Sequence, residues 1–146
     1  MILTESNVHD SIATTGLLDQ VPKIETVTAD KGYDNRNAFD PIAAKAARAI
    51  IPPRSGAALQ IKDPSWGDVE RNRNILEKHF LGKELWKYKS DYSRRSLVET
   101  GIGRYKQILG PRLHGKNIGN QKTEVRIGAK ILNQMTHLGT PKSYKL

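Results

Sequence analysis

An α/β fold built on a short parallel strand pair is what this sequence predicts, and three observations predict it. The segment "KIETVTADKGYD" (23–34) is rich in β-branched residues and ends at Gly32. About 14 residues of helical spacing follow, and then a second short apolar run, "AIIPPR" (49–54), closed by two prolines. Strand, crossover and strand in that order describe a βαβ unit, whose strands run parallel. The remaining periodic segments read as helices. Two strands make a poor sheet alone, so the chain reads as part of a domain.

Each element has its own justification. "SIATTGLLDQV" (11–21) reads as a short helix closed by Pro22. In 23–34, Ile24, Thr26 and Thr28 alternate with Glu25, Val27 and Ala29, the period of a strand running into a loop. In "NRNAFDPIAAKAAR" (35–48), Phe39, Ile42 and Ala46 fall at helical spacing. Pro41 there demands a kink, or a late start with Asp40 as N-cap. No glycine lies near Ala46, and an alanine forced into a left-handed turn costs roughly 1 kcal/mol. "SGAALQIKDPSWGD" (55–68) is a loop by its Gly, Ser and Pro content. A charged helix is expected over 69–89 with Ile75, Phe80 and Leu85 inward. Another is expected over 92–109, ended by Gly110 and Pro111, and after a loop (110–121) a last helix over 121–138. Its apolar face would carry Ile127, Ile131, Leu132, Met135 and Leu138.

Charge is unevenly spread. Residues 1–70 hold 7 Lys/Arg against 10 Asp/Glu, net −3, while residues 71–146 hold 17 against 5, net +12. A basic half of this size points to a polyanion, since each neutralised phosphate releases counterions. The cations are interleaved with Tyr, Leu and Ile rather than clustered beside an anchor, which argues against a lipid surface. No run of about 18 apolar residues exists and no secretory leader is visible, so a cytoplasmic, nucleoid-associated protein is expected. Without cysteine there is neither a disulfide framework nor a thiolate metal site.

Two acids draw attention. Asp30 follows the first strand, the end at which open parallel sheets bind ligands. Glu99 stands among Arg94, Arg95, Arg104 and Lys106. On a helix, Tyr92, Arg95, Glu99 and Lys106 fall within a roughly 60° arc. The plain reading is a solvated face with an Arg95–Glu99 pair worth about 0.2–0.5 kcal/mol. The alternative is that Asp30 and Glu99 hold Mg²⁺ together, since hard cations take oxygen ligands, while Arg95, Lys106 and Tyr92 hold phosphates. His9, His79, His114 and His137 are too scattered to be ligands. No G-x-S-x-G, dinucleotide fingerprint or P-loop is present, and the glycines of "GIGRYKQ" (101–107) sit inside a helical pattern.

These residues carry a resemblance. Tyr92-x₂-Arg95-x₃-Glu99-x₆-Lys106 matches the Y-x₂-R-x₃-E-x₆-K signature of bacterial insertion-sequence DDE transposases. "ADKGYD" (29–34) resembles the segment bearing their second catalytic aspartate, and "AIIPPR" their following strand end. "SLVETGIGRYKQILGPRL" and "NQKTEVRIGAKILNQMTHLG" are similar to the C-terminal region of the insertion-sequence-five-type group. The resemblance runs from about residue 3 to residue 143.

It implies a ribonuclease-H-like fold, of which residues 1–146 form a single partial catalytic domain, the C-terminal part. Asp30 is similar to the second acid and Glu99 to the third. Tyr92, Arg95 and Lys106 resemble residues that contact the transposon end, with Arg54, Arg94 and Arg104 as further DNA contacts. The implied cofactor is Mg²⁺, with Mn²⁺ as its substitute. The implied partners are DNA ends and target, and a second copy or an intact transposase. The family's first aspartate has no counterpart, since Asp10 and Asp19 lie only 20 and 11 residues before Asp30. The expectation is therefore a transposase fragment that is inactive alone, or a non-catalytic DNA-binding remnant. Trp66, in the loop, would stack on a base or be buried beneath its own loop. The strand pair should leave one edge or face open.

Overall fold

A computed structural model of the chain describes residues 10–139. Of these, residues 10–97 belong to one compact unit and residues 98–139 to another, the division falling inside a helix. His9 lies outside the described residues.

In the first unit, β1 (Thr26–Thr28) and β2 (Arg48–Ile50) pair in parallel, with Thr26 opposite Arg48 and Thr28 opposite Ile50. The βαβ expectation holds. The crossover is α2 (Arg36–Ala44), preceded by a 3-10 turn (Asp10–Ala13) that runs into α1 (Thr14–Leu18), so the helix expected over 11–21 ends at Leu18. Phe39 and Ile42 of α2, Leu18 of α1 and Ala47, Ala49 and Ile51 around β2 form the buried core, with Val27 and Ala29 of β1 packed against it. Pro41 starts no helix here. It sits inside α2, which begins five residues earlier with Asn35 as its N-terminal flank. Proline there only removes one intrahelical donor from a short helix. Beyond α2 the chain does turn on a left-handed alanine, Ala46 at φ 54°.

α3 (Trp66–Leu81) starts three residues before the expected boundary because Ser65 and Asp68 form a capping box. Asp68 donates its backbone N–H to Ser65 Oγ at 3.1 Å, and Ser65 N–H donates to Asp68 Oδ2 at 3.1 Å. Asp68 is buried and also accepts from Arg36 Nη2 at 2.8 Å. That guanidinium holds the Asp68 carboxyl below the usual range. The single helix expected over 69–89 is broken at Gly82 (φ 74°, ψ 164°), a conformation suited to glycine, and α4 (Lys83–Lys89) follows. The break resets the helical phase beyond Gly82. Phe80 (79% exposed) and Leu85 (45%) face outward, and Trp86, at 1%, takes the inward position.

α3 does more than cover the sheet. The ladder bonds Arg48 N–H to Glu25 O and Ala29 N–H to Ile50 O turn the backbone of Ala49 to the opposite edge of β2. There Ala49 O accepts from Asn74 Nδ2 at 2.8 Å and Ala49 N–H donates to Glu70 Oε2 at 3.3 Å. Side chains of α3 thus close the edge of β2. Among the described residues no third strand lies beyond β1.

In the second unit, α5 (Ser96–Leu109) and α6 (Ile118–His137) pack against each other. Gly128 of α6 lies under Tyr105 and Leu109 of α5. Val98 and Thr136 line the same groove, so the helices run antiparallel. The helix expected over 92–109 begins instead with a 3-10 turn, Tyr92–Arg95, and becomes α-helical at Ser96. α6 starts at Ile118, with Asn117 Oδ1 accepting from Asn120 N–H at 2.8 Å. Its buried residues are Val125 and Gly128, whereas Ile127 (55% exposed) and Leu138 (87%) look outward. The expected apolar stripe is displaced because glycine, which no hydropathy pattern selects, makes the closest approach.

Candidate nucleic-acid interface

Asp30 lies two residues beyond β1 and caps the 3-10 turn Lys31–Tyr33. Its Oδ1 accepts from Gly32 N–H at 2.7 Å, and its Oδ2 lies 3.7 Å from Arg95 Nη2. The carboxylate is about half exposed, at 47%. Around it opens a cleft of about 890 Å³ with Pro52, Pro53, Trp86 and Tyr92 among its walls. Lys31, Arg54, Lys78, Lys83, Lys87 and Arg95 also line it. Six cations face one carboxylate, a local excess that raises the concentration of anions at the site. Trp86 and Tyr92 stack with ring centroids 5.6 Å apart, which anchors Tyr92 to the wall.

Of the sequence-predicted residues, the structure brings Asp30, Arg54, Tyr92 and Arg95 to this cleft. A 3-10 turn has three residues per turn, so Tyr92 and Arg95 still share a side. The Nε and Nη2 of Arg54 donate to the carbonyls of Lys31 and Gly32 at 3.3 and 3.0 Å. Those bonds fix the turn that Asp30 caps. Arg94 is exposed beside the cleft segment, 3.7 Å from Asp91 Oδ2. Glu99, Arg104 and Lys106 belong to the other unit, on α5. Glu99 occupies the first turn of α5, where the helix dipole favours an acid. Lys106 is exposed and Arg104 half-buried, lining a groove between α5 and α6 of about 270 Å³. Trp66 is 81% exposed and not buried under its loop.

Sequence reasoning missed Lys31, Lys78, Lys83 and Lys87. Lys83 and Lys87 stand four apart, a visible signal, but the unrecognised break at Gly82 put them on the wrong phase. It also missed Asp34, whose side chain is 1% exposed. Asp34 accepts from Arg71 Nε at 2.7 Å and from Arg54 N–H at 2.8 Å, tying α3 to both strand-end loops. A buried aspartate in a turn sequence reads as a solvated loop residue until its arginine is known to arrive from 37 positions away.

The donors for a divalent metal are few. Asp30 supplies one carboxylate at the strand end, with Oδ2 the less engaged oxygen, and that is one anchor of the several oxygens a hard cation takes. Among the described residues there is no group of three or more His, Cys, Asp or Glu that could hold a metal. No helix among them is long and apolar enough to cross a membrane.

The fold is an α/β one, a parallel βαβ unit with a carboxylate just beyond its first strand and a ring of cations around it. Residues 1–134 match the family described as transposase DDE domain, and the chain belongs to that family. Transposase function, DNA as partner and divalent-metal chemistry are what this membership implies. No solved structure matches the chain.

Proposed function

We propose that this chain takes part in DNA transposition by Mg²⁺-dependent phosphoryl transfer, as the C-terminal part of a ribonuclease-H-like catalytic domain of the insertion-sequence-five type. The observation that carries the reading is Asp30, at a strand end, in a cleft that Tyr92 and Arg95 of the signature share with four lysines. Asp30 and Glu99 act as two of the three acids. Bound Mg²⁺, or Mn²⁺, would polarise the scissile phosphodiester and its attacking hydroxyl. Arg95, Lys78, Lys83 and Lys87 hold the phosphates of the DNA, Tyr92 donates to one, and Arg94, Arg104 and Lys106 are further DNA contacts. The third acid comes from outside these 146 residues, either in an extended chain or from a partner transposase.

The test is cleavage of a labelled duplex bearing the element's terminal repeat, with Mg²⁺ or Mn²⁺. The 146-residue chain alone is expected to be inactive, because losing a metal anchor removes several kcal/mol of transition-state stabilisation and each 1.36 kcal/mol is about tenfold. Fusing a segment that carries a further strand-borne aspartate should restore cleavage, and Glu99→Gln should abolish it again. Restored cleavage that survives Glu99→Gln would sink the assignment. The second reading is a non-catalytic DNA-binding protein. It is favoured by the engagement of both Asp30 oxygens, one by Gly32 N–H and one by Arg95. On that reading no fusion restores cleavage, while Arg95→Ala still weakens DNA binding.

A further inference from the structure

α6 carries Lys122, Arg126 and Lys130, all exposed and spaced four apart. At about 100° per residue they fall within an arc of roughly 80°, on the side away from the buried Val125 and Gly128. Like charges four apart on a helix repel one another, so the stripe weakens the helix that bears it. The one acid of α6 does not relieve the repulsion. Glu124 points elsewhere around the helix, and its carboxylate accepts from the backbone N–H of His114 (2.8 and 3.0 Å) and of Gly115 (2.9 Å). Those two N–H groups hold the Glu124 carboxyl below its ordinary range, so its charge is spent on the loop rather than on the stripe. Among the described residues, none of the three cations lies within 4.0 Å of a carboxylate oxygen.

We propose that the Lys122–Arg126–Lys130 face of α6 is a second DNA surface, which grips the duplex backbone without reading sequence and is built from none of the cleft's residues. Eight residues of helix span about 12 Å. A strand of duplex DNA presents one phosphate per roughly 3.4 Å of axis, so three cations over that length meet a phosphate each. The inference rests on DNA being the partner, as proposed for the cleft.

The experiment measures binding of the 146-residue chain to a random-sequence duplex of about 20 base pairs by fluorescence anisotropy across salt concentrations. The triple variant K122Q/R126Q/K130Q should lower the slope of log K against log salt by about 2.7, three phosphates at roughly 0.9 each. The variant K122R/K130R should keep the slope, and far-UV circular dichroism should show helix content unchanged in both. A cleft variant, K83Q/K87Q, runs in parallel. If it weakens binding while the triple variant does not, the α6 inference is wrong and the cleft reading stands. If only the triple variant weakens binding, α6 is upheld and the cleft loses its DNA role. Unchanged slopes in both would overturn both readings. The same holds for the α6 inference if the triple variant loses binding to phosphatidylserine vesicles but not to the duplex, since the surface would then serve a membrane.

Discussion

Ala46 holds φ 54° at the turn from α2 into β2, a region that L side chains enter at a cost of about 1–2 kcal/mol. Ala46→Gly should therefore stabilise the first unit by about 1 kcal/mol, part of the gain being offset by glycine's greater freedom when unfolded. Urea midpoints read this directly, and a lower midpoint in the variant would refute it. Asp34 makes the opposite case. Its carboxylate joins Arg71 and the backbone N–H of Arg54, and the Arg71 side chain is 19% exposed. Asp34→Asn should cost about 2–3 kcal/mol, somewhat less than a fully buried pair because water reaches Arg71. A loss under about 0.5 kcal/mol would show that the pair is incidental. The two residues differ in legibility. Ala46 could be flagged in the sequence because a strained turn is a property of the local chain. Asp34 could not, because its partner is supplied by tertiary structure.

Element contacts hinge on glycines that hydropathy cannot find. A Cβ on Gly67 would collide with the Asp40 carboxylate and stand 2.7 Å from the Asp40 backbone nitrogen and 2.9 Å from its Cα. α2 and α3 cross here with backbone nearly touching backbone. Gly67→Ala should destabilise the first unit by about 2–3 kcal/mol, the range of overpacked cores. Gly101→Ala, where no heavy atom lies within 4 Å of the added Cβ, should stabilise α5 by roughly 0.5–1 kcal/mol through propensity alone. Parallel thermal melts compare the two, and similar shifts of one sign would contradict the packing account. The sequence conveyed the βαβ order, Asp30 at its strand end and helical glycines at 101 and 103, all of them local or periodic signals. It misplaced Phe80, Leu85 and the α6 stripe. The Gly82 break accounts for Leu85 and Gly128 as a packing point for the α6 stripe, while Phe80 precedes the break, on the outward side of α3.

At the scale of the molecule, carboxylates fasten both units, and pH should expose this. Arg36 holds Asp68 below its ordinary value. Burial pushes Glu77 up, but its hydrogen bond from Arg73 and the nearby Arg48 outweigh that and leave it lowered. Glu124 is lowered in the second unit. Groups depressed by folding add stability above the unfolded values of about 3.9–4.3 and lose it as pH falls through their folded values. Stability should accordingly be flat in these groups between about pH 5 and 8 and fall steeply below about pH 4. Urea titrations at about pH 6 and about pH 3 check it, and equal midpoints would contradict it. The α3 contacts also govern how copies of the chain can meet. With Asn74 and Glu70 occupying the backbone of Ala49, the sheet has a terminus on that side rather than a border. An incoming strand of another copy meets no free backbone partner at Ala49, so it cannot extend the sheet past β2 there.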